Sequence, residues 1–304
     1  MTIDIDVRAH LLSLSDEAWR RLSTRVRGLT GAEYHWEPAS GCWGVRRAAD
    51  GTYATDFQRI PPDPAPLTTL AWRLVHLLDV LQAERTATWL GVAPDPDDGA
   101  PGVPGAAVEA VRALEHAYAV WRRRLAAADD AHLAGPMGPI AGPYAQDSGA
   151  AFALHIIDEL IHHGAEVATM RDLHQASRLT DPIAAACLRG DRDAVERLRA
   201  EDSEALDRTR RDVPDLVVHA AARQEWEAVA LIAELGFDLT ARAEESGATA
   251  LHYAAGAGRL DVARMLLDRG CDPSKTETRF SATPAGWAEF FGHADVAAEL
   301  NPRR

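Results

Sequence analysis

The sequence has no surplus of basic residues: 32 Lys and Arg stand against 46 Asp and Glu, a formal net charge of −14. Phosphate binding is driven by Lys and Arg displacing counterions, so this balance argues against a nucleic acid partner. No apolar run approaches the ~18–20 residues that span a bilayer. The opening carries Asp4, Asp6, Asp16 and Glu17 in place of the basic start and apolar stretch of an export signal. The expectation is a soluble, cytoplasmic protein with no membrane partner. Cysteine is scarce too. Cys42, Cys187 and Cys271 are odd in number and far apart, which excludes a disulfide framework and a thiolate zinc site. Walker loops, GxSxG elbows and dinucleotide fingerprints are missing as well.

What is present is an ordinary apolar fraction, 47% of 304 residues, enough for two domains with separate cores. The last third repeats itself. Ala248-Thr249-Ala250-Leu251-His252-Tyr253-Ala254-Ala255 is followed by Asp261-Val262-Ala263-Arg264-Met265-Leu266-Leu267 and Gly270-Cys271-Asp272-Pro273. Partial copies stand ahead of it at Val218-His219-Ala220-Ala221-Ala222 and behind it at Ala282-Thr283-Pro284-Ala285-Gly286-Trp287-Ala288. A degenerate first copy reads Ile183-Ala184-Ala185-Ala186. The turns align at Gly190, Glu225, Gly258 and Gly292, spaced 35, 33 and 34 residues apart. Helix–turn–helix units of this length bury their apolar faces only by stacking. These residues resemble ankyrin repeats over 180–304, about four copies with the terminal ones degenerate. The resemblance implies a protein-interaction surface without chemistry, with His252 and His219 as scaffold residues that hydrogen-bond the turns.

Residues 1–175 contain no repeat. Periodicity predicts helices over 5–27, 67–90, 106–129 and 148–174 and offers no strand, which points to an all-α four-helix bundle. Thr68-Thr69 caps the second helix. The acidic stretch 95–98 reads as a solvated loop, and 175–180 as the joint between domains. Cys42, in a loop ahead of Arg46 and Arg47, is a weak candidate for reactivity. Trp36, Trp43 and Trp72 read as packing anchors.

The fourth helix concentrates chemistry: His155-Ile156-Ile157-Asp158-Glu159-Leu160-Ile161-His162-His163-Gly164-Ala165-Glu166. Ligands on one helix must sit three or four residues apart to share a cation. At 100° per residue His163 lies about 60° from the centre of the apolar stripe and Glu159 about 100°, whereas His162 is nearly opposite it. The pair aimed inward is therefore Glu159 and His163, either as metal ligands or as a buried charge-assisted hydrogen bond. His155 reads as a rim group and His162 as a surface residue. His76 on the second helix is the candidate third ligand, although it stands off that helix's main apolar stripe.

Trp36-Glu37-Pro38, Gly41-Cys42-Trp43, the run from Leu67 to His76 and the run from Asp158 to Glu166 resemble a DinB-like bundle, especially its actinobacterial branch. In that superfamily one histidine of the second helix and two residues of the last helix, four apart, hold a divalent metal. By that resemblance His76, Glu159 and His163 are the ligands, with Glu159 standing where histidine is commoner. The metal is then zinc, nickel or manganese. Characterised members include thiol-dependent transferases and isomerases that use low-molecular-weight thiols. The functions implied are a metal-dependent, thiol-dependent transferase or hydrolase, or else a non-catalytic binding scaffold whose ankyrin array recruits a protein partner.

Overall fold

The computed structural model describes residues 6–60, 62–99, 102–244 and 246–301, and the chain divides after His174 into two compact units. The first is a bundle of α1 (Val7–Val26), α2 (Leu70–Gln82), α3 (Ala107–Ala127) and α4 (Gly149–Arg178). Three of the four starts have a side-chain cap. Asp6 accepts from Ala9 N at 2.9 Å, Thr69 Oγ1 from Trp72 N at 3.3 Å, and Ser148 Oγ from Ala151 N at 3.1 Å, each satisfying a donor that the first turn leaves unpaired. The expected start of α1 at Ile5 lies outside the described residues. Buried positions recur every three or four residues, as in Leu11, Ser15, Ala18, Leu22 and Val26 of α1, so one face of each helix enters a shared core. The core's largest fully buried side chain is Trp121, whose Nε1–H is satisfied by Ser15 Oγ at 3.0 Å.

Four expectations need correction. The second helix ends at Gln82, well short of residue 90, and a short helix, Arg85–Thr88, follows. The buried Arg124 guanidinium donates to the carbonyls of Gln82 at 3.1 Å and Ala83 at 2.9 Å, which terminates α2 without proline or glycine. Arg124 is held in turn by Asp98, 3.2 Å away and only 6% exposed. The acidic stretch is therefore partly an internal counter-ion, not wholly a solvated loop. Strands also exist: Val45–Arg47 (β1) and Tyr53–Thr55 (β2) form an antiparallel hairpin in which Arg46 faces Ala54. Its turn is built by Asp50, which accepts from Thr52 N at 2.9 Å, and by Gly51 at φ +89°. Finally, α4 continues to Arg178, so most of the joint placed at 175–180 is helical.

Among its described residues the second unit holds four helix pairs: Pro182–Leu188 with Arg192–Glu201, Leu216–Ala222 with Trp226–Glu234, Ala250–Gly256 with Leu260–Asp268, and Pro284–Phe290 with Ala294–Leu300. An additional helix, Ala205–Asp212, follows the first pair. Small buried residues such as Ala184, Ala220, Ala254 and Ala288 recur on the first helix of each pair and let neighbouring pairs approach. The left-handed turn residues are Gly190, Gln224, Gly258 and Gly292, each 34 residues from the next. Gln224, at φ +60°, occupies the position expected for Glu225, and the uneven spacing read from the sequence disappears. His252 is fully buried. Its Nδ1 accepts from Thr249 N at 3.1 Å and its Nε2 donates to Ala282 O at 3.2 Å, tying one repeat to the next as expected. His219 bonds the carboxylate of Asp215, in the turn just ahead of its own helix, at 3.1 Å and so reaches no neighbouring repeat through that bond.

Candidate metal centre

Helices α2 and α4 run antiparallel where their polar residues meet, Arg73 reaching Glu166 while His76 reaches Glu159. His76 Nε2 stands 3.3 Å from Glu159 Oε2, and His163 Nε2 stands 3.2 Å from the same oxygen. The His76 and His163 rings lie edge to face, with centroids 4.6 Å apart. One ligand atom from each of the three residues thus falls in a cluster small enough for a single cation. The cluster is not in a dry core. Side-chain exposures are 34% for His76, 26% for Glu159 and 15% for His163. The physical reason was already in the helical wheels, since Glu159 flanks its apolar stripe and His76 stands off its own. Their tips therefore meet at the edge of the interhelical groove, where solvent and small solutes have access.

Two residues assigned no role in the sequence reading organise the cluster. Glu166 accepts a hydrogen bond from His163 Nδ1 at 2.6 Å and is ion-paired with Arg73, whose side chain is 11% exposed. Burial works against ionisation of Glu166, but Arg73 and His163 outweigh it and hold the carboxyl below its ordinary range. Burial also lowers the proton affinity of His163, against the opposing pull of Glu166. Together these effects select one tautomer. An ionised Glu166 accepts the hydrogen bond from Nδ1–H, and His163 Nε2 is left with a lone pair aimed at Glu159. The usable signal was the i, i+3 spacing of His163 and Glu166; which nitrogen Glu166 would engage was not readable from it.

The remaining wall is aromatic. Trp72 stacks on His76, with centroids 5.4 Å apart and planes at 11°, and its Nε1–H donates to Asp56 O at 2.9 Å. Trp43 packs 6.2 Å from Trp72, and its backbone is bonded to Leu67 and Thr69, so the β-hairpin segment braces the start of α2. The packing role expected of these tryptophans fits, and Trp72 in addition fixes a ring of the cluster. His155 lies at the rim, its Nε2 4.0 Å from Glu159 Oε1. His162 is 63% exposed, as expected, yet it approaches Glu166 at 3.5 Å and forms a second potential cation group with His163 and Glu166. Cys42 is buried and donates to Ala39 O at 3.1 Å. Burial pushes the Cys187 and Cys271 thiols up to about 12 and about 11, which removes thiolate at neutral pH.

Fold and cluster together define a helical-bundle protein with a candidate metal-binding group, joined to a repeat array. A sequence profile described as the DinB superfamily matches residues 14–167, half of the chain, and a profile described as ankyrin repeats, three copies, matches 183–277. The chain belongs to the DinB superfamily and carries ankyrin repeats after the DinB domain. The helix pair from Pro284 to Leu300 lies beyond the profile match, although it repeats the same turn at Gly292. A comparison with curated proteins finds none that matches. Among the described residues, no helix is long and apolar enough to cross a membrane.

Proposed function

We propose that the bundle holds one divalent cation through His76 Nε2, Glu159 Oε2 and His163 Nε2, and that the centre serves a metal-dependent transferase or hydrolase. The observation that carries this reading is the opposition at His163. Its Nδ1 proton is committed to Glu166, so Nε2 turns a lone pair toward a carboxylate oxygen 3.2 Å away. Two lone pairs at that distance repel unless a positive charge lies between them. The donor set supports a metal in that role. Two imidazoles and one carboxylate form a common catalytic zinc set, acceptable also to nickel or manganese. Donor separations of 3.2 and 3.3 Å lie close to the ~3.4 Å edge of a tetrahedron with metal–ligand bonds of about 2.1 Å.

Bound there, the metal would lower the pKa of a coordinated water or low-molecular-weight thiol and supply the nucleophile at neutral pH. The chain's own residues orient that chemistry. Glu166 and Arg73 hold the His163 ring, Trp72 holds the His76 ring, and the partial exposure of the cluster admits a solute. We assign the ankyrin unit to recruiting a protein partner, and the chain to the cytoplasm. Elemental analysis of the purified protein tests the centre. We expect about one metal per chain, lost in His163→Ala with helicity retained; metal content unchanged by that substitution would overturn the assignment.

A further inference from the structure

One helical turn before Glu159, α4 borders a cavity of about 340 Å3 whose other walls are the segment just after α2 and the connection leading into α4. It is lined by Arg85, Trp89, Met137, Tyr144, Phe152 and His155, and the same His155 lies 4.0 Å from Glu159 Oε1. The floor is apolar and fixed, with Phe152 and Met137 at 5% and 6% exposure. Trp89 packs on Phe152 with centroids 4.9 Å apart and on Tyr144 at 6.0 Å, so three mutually braced rings wall the cavity. A cavity of this size, apolar with few polar groups, is the usual form of a small-molecule site.

The charges at its mouth differ in how they are satisfied. Asp147 borders the cavity at the amino end of α4, where the helix's positive end complements a carboxylate. Arg85 makes no ion pair among the described residues, and its guanidinium lies 5.9 Å from the centre of the Trp89 ring. A cation supported on an aromatic face at the lip of an apolar cavity matches a ligand with a flat apolar body and an anionic end.

We propose that this cavity binds a planar organic anion of the aromatic carboxylate class, its ring in the apolar cavity beside Trp89 and Phe152 and its carboxylate on Arg85. The inference deepens the metal-centre reading by naming a substrate class, and rests on it only for what happens after the ligand is seated beside His155.

Calorimetric titration of the full-length chain with 2-naphthoate, compared with the neutral 2-naphthamide, tests it. We expect saturable one-site binding of the anion, with the amide weaker by about tenfold. Arg85→Gln should remove that preference while leaving amide binding in place, and Ala151→Trp, at an exposed cavity-lining position, should abolish both. Bound naphthoate should shift the His155 imidazole resonance, assigned with His155→Asn. His163→Ala should keep the naphthoate affinity while losing the metal, so a failure of the cavity and a failure of the metal centre are read separately. Absence of saturable binding, a charge preference that survives Arg85→Gln, or an unmoved His155 resonance would overturn the proposal.

Discussion

Glu166→Gln removes one charge and leaves the shape of the cluster almost intact, which isolates the role assigned to Glu166. In the native protein an ionised Glu166 accepts a hydrogen bond from the Nδ1–H of His163 and so keeps Nε2 bare. Glutamine can still accept that bond, but the charge that favours this tautomer is gone. His163 can then turn its N–H toward Glu159, forming an ordinary hydrogen bond that competes with metal. Loss of a carboxylate that orients a ligating histidine typically weakens metal binding about 10–100-fold, or about 1.4–2.8 kcal/mol. A second effect acts on the fold, because Arg73 loses its counter-ion at 11% exposure. One unsatisfied, mostly buried charge–hydrogen-bond contact costs about 1–3 kcal/mol. The two effects separate in the assay: competition with a zinc chelator reads the site, and urea unfolding of the metal-free protein reads the fold. The pH dependence has a definite sign. The folded value of Glu166 lies below its ordinary 4.5, so its contribution is complete above pH 4.5 and is lost as pH falls through the folded value. The stability gap between native and variant should therefore close on acidification. Zinc affinity within twofold of the native protein would refute the orienting role.

Other substitutions test the frame around the site. Asp98→Asn leaves Arg124 buried without its counter-ion and should destabilise the bundle by about 3–5 kcal/mol in urea unfolding; a change under about 1 kcal/mol would mean Asp98 is not the counter-ion. Gln224→Gly relieves a left-handed backbone at φ +60° and should stabilise the repeat unit by up to about 1 kcal/mol, after allowance for glycine's greater unfolded-state entropy; a loss of stability would count against that strain. Burial holds His252 below its ordinary 6.5, so the unfolded chain takes up a proton first as pH falls. Stability of the repeat unit should be full above pH 6.5 and decline below it, and His252→Ala should remove that slope; a slope that persists in the variant would refute it.

How much of this was legible in the sequence depended on whether the cause was periodic. The four bundle helices and the stacked repeats were readable because each rests on a recurring apolar face, and three residues spaced for a cation lay on two of those helices. Causes that act across the chain left no such trace. No proline or glycine near Gln82 marks a helix end; its last carbonyls are taken by Thr86 close by and by Arg124, which lies 42 residues on. The β-hairpin was missed although Asp50-Gly51 is a turn signal, because its strands are three residues each and show no sustained alternation. The Glu225 alignment failed because glutamine at 224 adopts a backbone conformation usually given to glycine.

Helical periodicity also explains why the proposed ligands sit at a rim. A residue at the centre of an apolar stripe faces two neighbouring helices and finds no water, so an unmetallated histidine–carboxylate pair there would carry a large desolvation cost. Residues on the flanks of two antiparallel stripes meet at the groove's edge, where the metal-free cluster is tolerable and an exchangeable ligand can enter. Arg73 and Trp72, neighbours of His76 on α2, then act from opposite sides: one holds Glu166 behind His163, the other stacks on His76. Moving His76 one position along α2 would break both relationships at once, so the site depends on the register of α2 against α4 more than on the identity of any single ligand.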